Sequence, residues 1–229
     1  RQRQMCIRDR SSDWSSMFPQ RITKEEVGEL PLVSYSGRIE VVANHESLKV
    51  CLSALQAEKL LGFDTETRPS FRKGVMFPIA LLQLATRETV YLIRLNHLGF
   101  PEELRDLLAS PESQKVGVAI RDDIKGLQQL GSFIPQGFVE LSQLARQLGI
   151  VTCGLRNLAG IFLNVRISKK AQLSNWEQEE LTESQQNYAA TDAWISRELF
   201  LRLSPFFALS GGTSRRIRFR GKWIKIAAS

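Results

Sequence analysis

The sequence predicts a mixed α/β domain, a five- to six-stranded sheet flanked by helices, and three observations predict it. Two apolar runs, 79–85 and 90–95, stand either side of Arg87-Glu88 and read as a hairpin. Beyond them, short apolar strands alternate with helical patterns, the mark of strands covered by helices. Of the 229 residues, 43% are hydrophobic, which suffices for the core of one domain with short appendages.

Residues 38–43 alternate and are rich in Ile and Val, so they read as the first strand. Asn44 is placed to cap a helix running to about Glu58, with Leu48, Leu52 and Leu55 at helical spacing. Residues 60–66 form the next strand, followed by the polar loop 68–74 and then the hairpin. A helix over 101–109 opens with Pro and Glu, as first turns prefer. Small residues make a strand over 116–120, a helix over 122–130 ends at Gly131, and 138–141 is a last short strand. Further helices are expected over 142–149, 154–164 and 183–203. The domain therefore spans 38–205, after a lead-in (1–37) broken by Ser-Ser-Asp and Leu-Pro-Leu and before a basic tail (206–229).

The net charge of +7 favours polyanionic partners. Three scattered cysteines, Cys6, Cys51 and Cys153, read as reduced thiols in a reducing, cytoplasmic compartment. With His45 and His97 alone and no His/Cys cluster, a structural zinc site is not expected. No stretch approaches the roughly 18 apolar residues that span a membrane. Residues 1–10 carry charge throughout and lack the apolar centre of a secretory signal.

Chemistry concentrates in three acidic segments. In Asp64-Thr65-Glu66, strand alternation sends both carboxylates to one face. Side by side they repel and raise each other's pKa unless a cation lies between them, and a hard divalent ion wants such oxygen ligands. A solvated strand face can carry the same pair, but Leu60-Leu61-Gly62-Phe63 reads as buried, where unpaired charge is expensive. The second segment, 116–123, delivers Asp122 and Asp123 to the start of a helix, where a carboxylate is favourable as a cap in any case. In the third, Tyr188 and Asp192 are four apart and share a helical face, although a Tyr at that spacing also suits a core.

Taken together, Asp64-Thr65-Glu66, Val116-Gly117-Val118-Ala119-Ile120 leading to Asp123, and Leu173-Ser174-Asn175-Trp176 through Gln185 to Tyr188-Ala189-Ala190-Thr191-Asp192 resemble the motifs of the DEDD superfamily of 3′–5′ exonucleases. A sister class carries His five residues before the final Asp; Asn187 stands there, so the likeness is to the tyrosine form. It is nearest to the exonuclease domain of the Werner-syndrome helicase and more distant from ribonuclease D. The resemblance implies a ribonuclease H-like fold and phosphodiester hydrolysis at 3′ ends of nucleic acid, DNA first, with release of nucleoside monophosphates. It implies two divalent ions, Mg²⁺ or Mn²⁺, held by Asp64, Glu66, Asp123 and Asp192, with Tyr188 orienting the attacking water. Register against the family pattern selects Asp123 over Asp122.

Candidate substrate contacts are Thr65, Thr67, Arg68, Phe71 and Lys73 around the first motif, and Lys170 and Trp176 before the third. An aromatic can stack on a base there and cations can meet phosphates. The tail from Ser214 to Lys225 interleaves cations with Ile, Phe and Trp, which suits a polyanion-binding tail or an edge strand. No room follows for the helical accessory domain of ribonuclease D, so a stand-alone exonuclease is expected. Two other readings compete: trimming of structured RNA in the manner of ribonuclease D, and a nuclease-like module that binds nucleic acid without cutting. Retention of all four acids and the Tyr argues against the latter.

Overall fold

Burial along two neighbouring strands decides the architecture. In β3 (Leu60–Thr67), Leu61, Phe63 and Thr65 point to one face, and Gly62, Asp64 and Glu66 to the other. Strand β4 (Ile79–Ala85) is buried on both faces, so it belongs at the centre of a covered sheet. The structure, a computed structural model, describes residues 17–72 and 74–208 and the backbone of 216–219 and 222–225. With β2 (Arg38–Val42), β5 (Thr89–Arg94), β6 (Gln114–Gly117) and β7 (Phe138–Glu140), β3 and β4 form a six-stranded sheet in the order β2-β5-β4-β3-β6-β7. The hairpin pairs β4 antiparallel with β3 and β5, whereas β2 on β5, β6 on β3 and β7 on β6 are parallel.

One face is covered by α2 (His45–Ala57), α4 (Glu102–Ala109) and α5 (Arg121–Leu130). Asn44 caps α2 as expected, accepting from the Ser47 N–H at 2.9 Å. The other face carries α8 (Glu183–Ala208), which lays Ala189, Ala190 and Ala193, all fully buried, against the sheet. A stripe this small lets two backbones approach closely. A Cβ on Gly62 would stand 2.0 Å from the Ala193 carbonyl oxygen, so only glycine fits where β3 meets α8. That contact is two residues from Asp64 and one from Asp192.

Lys115 is one concession to polarity in the core. It is fully buried, and its ammonium donates to the carbonyls of Ser110 (2.7 Å) and Ser113 (3.0 Å). Burial pulls its pKa down to about 7.

Several boundaries differ from the expected ones for physical reasons. The small-residue strand stops at Gly117, because the chain turns through Ala119 with φ 61°. The helix expected over 154–164 is one α-turn, α7 (Leu155–Leu158), running into a π-helical turn over Ala159–Leu163. Helix α8 continues past 203 through Pro205.

Residues before 38 pack on the same body. Phe18 stacks edge-on against Phe162 with ring centroids 4.7 Å apart, and α1 (Lys24–Glu29) carries a capping box at Thr23. Strand β1 (Leu32–Val33) pairs in parallel with β8 (Arg166–Ile167), and a four-residue helix, α3 (Leu95–Leu98), follows β5. In the tail, β9 (Arg216–Phe219) pairs antiparallel with β10 (Lys222–Lys225) as a separate ribbon. The rest of the tail, its side chains, residues 1–10 and Cys6 lie outside the described residues. No helix among the described residues is long and apolar enough to cross a membrane.

Candidate active site

Three side chains converge where β3 meets α8. Carboxylate oxygens of Asp64, Glu66 and Asp192 lie within 4.8 Å of one another. Strand alternation places the first two, and the Gly62–Ala193 contact brings the third. The acids pay heavily for this arrangement. Burial and the neighbouring carboxylates hold Asp64 well above the usual range and push Glu66 up to about 9. Burial raises Asp192 to about 7, against the opposing pull of the Tyr188 hydroxyl and the Arg156 guanidinium.

These residues fit a divalent cation. The donor set is entirely oxygen, as hard ions require, and Asp192 Oδ1 is buried with no hydrogen-bond partner. A buried acceptor left unsatisfied is costly, so a ligand at that oxygen relieves it.

Helix α8, which carries the third motif, is fastened to its approach. Thr182 and Gln185 form a capping box: the Thr182 N–H donates to Gln185 Oε1 (2.9 Å), and the Gln185 N–H donates to the Thr182 hydroxyl (3.3 Å). Gln185 Nε2 also donates to Ser174 Oγ and the Asn175 carbonyl, both at 3.1 Å, which ties the segment 173–176 to the start of α8. On the far side the Tyr35 N–H donates to the Thr191 hydroxyl at 2.9 Å, strapping the N-terminal segment beside Asp192. A cleft of about 430 Å³ opens there, bounded by Ser34, Ser168, Lys170, Asn187, Tyr188 and Asp192, among others.

Of the two acids that begin α5, Asp122 turns to solvent and pairs with Lys125 at 2.8 Å. Asp123 turns inward and accepts a short hydrogen bond from the Thr65 hydroxyl. It lies close enough to raise the pKa of Asp64 and Glu66 but is outside the tight group of three. Asp123→Asn should therefore remove nearly all turnover, and Asp122→Asn should leave most of it. Steady-state rates for the two variants check this, and reversed effects would shift the motif by one residue.

Two expected substrate contacts have buried side chains. Thr65 is buried on the opposite face of β3 from Asp64, and its hydroxyl is committed to Asp123. Trp176 has no exposed surface; it packs 6.0 Å from the Tyr188 ring in the layer between sheet and α8, so it supports the phenol and cannot meet a substrate. Thr67, Arg68 and Phe71 are exposed, Phe71 at 85%, while Arg68 lies over the Phe77 ring and pairs with Glu177 at 3.3 Å. Lys170 is exposed at the cleft, and Lys73 lies outside the described residues. Sequence reasoning missed Arg156, whose charge acts on Asp192 and which donates to the Ser168 carbonyl at 2.7 Å. Its only signal was a lone cation in Gly154-Leu155-Arg156, before the third motif.

The family described as 3'-5' exonuclease matches residues 39–206. The chain is 34% identical over 200 residues to the human exonuclease 3'-5' domain-containing protein 2, covering 82% of this chain and 31% of that protein. It is 29% identical over 212 residues to the mouse bifunctional 3'-5' exonuclease/ATP-dependent helicase WRN, covering 83% of this chain and 15% of that one. The chain thus spans about a third or less of the length of these relatives. In fold it is similar to Escherichia coli RNase D, with a TM-score of 0.66 at 21% identity over 75% of this chain and 47% of that one. The six-stranded mixed sheet with helices on both faces is accordingly the expected ribonuclease H-like layout. With the family matched over most of its length and three acids of its motifs gathered at one point, the chain belongs to the 3'-5' exonuclease family of hydrolytic nucleases.

Proposed function

We propose that this chain removes nucleotides one at a time from the 3′ ends of nucleic acid, DNA foremost, by the tyrosine form of metal-dependent phosphodiester hydrolysis. The observation that carries this reading is the convergence of Asp64, Glu66 and Asp192 within 4.8 Å, with Asp192 and Tyr188 lining a cleft. Asp64, Glu66 and Asp192 would hold one divalent ion, and Asp64 with Asp123 a second, Mg²⁺ or Mn²⁺. When bound, such ions offset the charge that develops on the phosphoryl oxygens and acidify the attacking water.

The chain's own residues supply position and protons. A phenol ionises near 10 in water, and burial beside Asp192 pushes Tyr188 further up. At neutral pH Tyr188 therefore keeps its proton, and its hydroxyl, held beside Asp192, orients the attacking water. Arg156 favours the ionised form of Asp192, and Thr65 holds the Asp123 carboxylate. Exposed Phe71 offers a ring for stacking, and Thr67, Arg68 and, at the cleft, Lys170 offer contacts for the strand. The buried thiols of Cys51 and Cys153 support a reducing, cytoplasmic setting.

Removing only the phenol oxygen isolates the role of Tyr188. Tyr188→Phe should lower turnover by about 10²–10⁴-fold, the usual contribution of a water-positioning or acid–base group. Stability should change by no more than ~0.5–1.5 kcal/mol, the net value of one hydroxyl. Near-normal rates at saturating metal would make Tyr188 a packing residue. The choice of DNA follows the likeness to the helicase-linked exonuclease. Hydrolysis of DNA and RNA strands of matched sequence, with uracil in both, tests it, and faster RNA hydrolysis would reassign the polymer, since the strands then differ in the 2′-hydroxyl.

A further inference from the structure

Asp123 depends on a turn that nothing within its own helix secures. Helix α5 begins at Ile120 with no side-chain cap. Just before it, Ala119 adopts φ 61°, a left-handed conformation that residues with a Cβ rarely take. Gly117 leads into the turn at a point where only glycine fits, because a Cβ there would stand 2.5 Å from the Phe63 carbonyl oxygen of β3. The entry to α5 therefore has the Ala119 and Ile120 amides to satisfy and a strained turn to hold.

Glu140, the last residue of β7, does both. Its Oε1 accepts from the Ala119 N–H at 2.9 Å and the Ser142 N–H at 3.1 Å, and its Oε2 accepts from the Ile120 N–H at 2.9 Å. The side chain is buried, and three amide donors satisfy it without a cation. One carboxylate thus joins the entry of α5 to the start of α6 (Leu141–Gln147). Ser142 alone would make it an ordinary helix cap. The two amides across the loop are what a cap of α6 does not need.

We propose that Glu140 is a positioning residue for the exonuclease reaction: by clamping the Ala119 and Ile120 amides it fixes Asp123 against the carboxylate cluster. This rests on the reading that Asp123 helps to hold the second cation. Asp123 stands outside the tight group of three, so its contribution depends on where α5 begins. Thr65 anchors the carboxylate end of Asp123, and Glu140 anchors the backbone that leads into its helix. Displacement of about 1 Å at such a group can cost 10²-fold in rate.

The test is a cycle of Glu140→Gln, Asp123→Asn and the double variant. Mn²⁺ binding is read by calorimetry without substrate, and kcat and KM are read on an oligonucleotide. An amide at 140 presents a donor toward backbone donors and cannot accept from all three. Glu140→Gln should weaken Mn²⁺ binding and lower kcat by roughly 10–100-fold, as loss of a supporting group around a metal site does, with KM little changed. In the Asp123→Asn background it should cost nothing further in Mn²⁺ binding. Equal losses in both backgrounds, or wild-type values in folded Glu140→Gln beside an impaired Asp123→Asn, would overturn the clamp. Wild-type behaviour of Asp123→Asn would instead overturn the reading on which the clamp rests. Should Glu140→Gln fail to fold, Glu140→Asp carries the comparison: it keeps the charge and the cap at Ser142 but is one methylene too short for the far amides. Wild-type Mn²⁺ binding and kcat in that variant would equally overturn the proposal.

Discussion

Asp64→Asn is expected to abolish turnover while raising the melting temperature measured in chelator. Asp64 is the centre of the buried acids, with Asp192, Glu66 and Asp123 all acting on it. Removing its charge removes a ligand the ions require, so the loss should exceed the about 10²–10⁴-fold typical of a single acid–base group. It also removes repulsion that the folded chain bears without a cation, so stability moves the other way. About 1 kcal/mol of relief shifts the midpoint by roughly 2–4 °C in a domain of this size.

The same repulsion predicts a pH dependence. Glu66 ionises at about 9 in the folded chain and near 4.3 when unfolded. Between these values the folded state binds more protons, so stability in chelator falls as pH rises. Lys115, lowered to about 7, acts in the opposite direction above neutrality, where the unfolded chain binds the extra proton. The clean window is therefore about pH 5 to 7. Melts across it should slope downward in chelator for the wild type, less so for Asp64→Asn, and flatten in Mn²⁺. A flat wild-type profile in chelator would contradict the electrostatic account.

Gly62→Ala should also cost activity, without touching a functional group. The added Cβ would stand 2.0 Å from the Ala193 carbonyl oxygen, and both partners are backbone, so α8 must move away from β3. Overpacking of this kind costs typically about 1–3 kcal/mol of stability. The functional loss is larger, because the displaced residue is the neighbour of Asp192. A shift of about 1 Å there should lower kcat by 10²-fold or more. Gly28→Ala is the control, since its Cβ meets nothing within 4 Å. Rates and melts on both variants decide the matter, and wild-type kcat in Gly62→Ala would mean that the α8 approach does not set the site.

What could be read from the sequence divides along physical lines. Alternation in β3 showed Asp64 and Glu66 on one face, and helical spacing showed Tyr188 and Asp192 on another, because both periods are local. The hairpin and the cap at Asn44 were legible for the same reason. The close approach of Gly62 to Ala193 was not, since it joins residues more than a hundred positions apart. Trp176 shows the limit of motif reading: its place in the third motif is real, but its ring lies beneath Tyr188. Thr65 points away from the acids beside it and serves Asp123 from the opposite face. The turn at Ala119 cut the expected strand short because its left-handed backbone is held by a distant carboxylate, which no local pattern announces. Likewise, the segment before residue 38 carries too few apolar residues in any one period to declare its packing, yet it straps Thr191.

The most direct measurement is a degradation time course on one oligonucleotide, labelled at its 5′ end in one sample and its 3′ end in another. Each is run in chelator and again after excess Mn²⁺ is restored. The account predicts no cleavage in chelator. With Mn²⁺ it predicts a ladder of progressively shorter 5′-labelled strands and, from the 3′-labelled sample, immediate release of the label as mononucleotide. Undiminished cleavage in chelator, or a ladder from the 3′-labelled strand with mononucleotide from the 5′-labelled one, would contradict it.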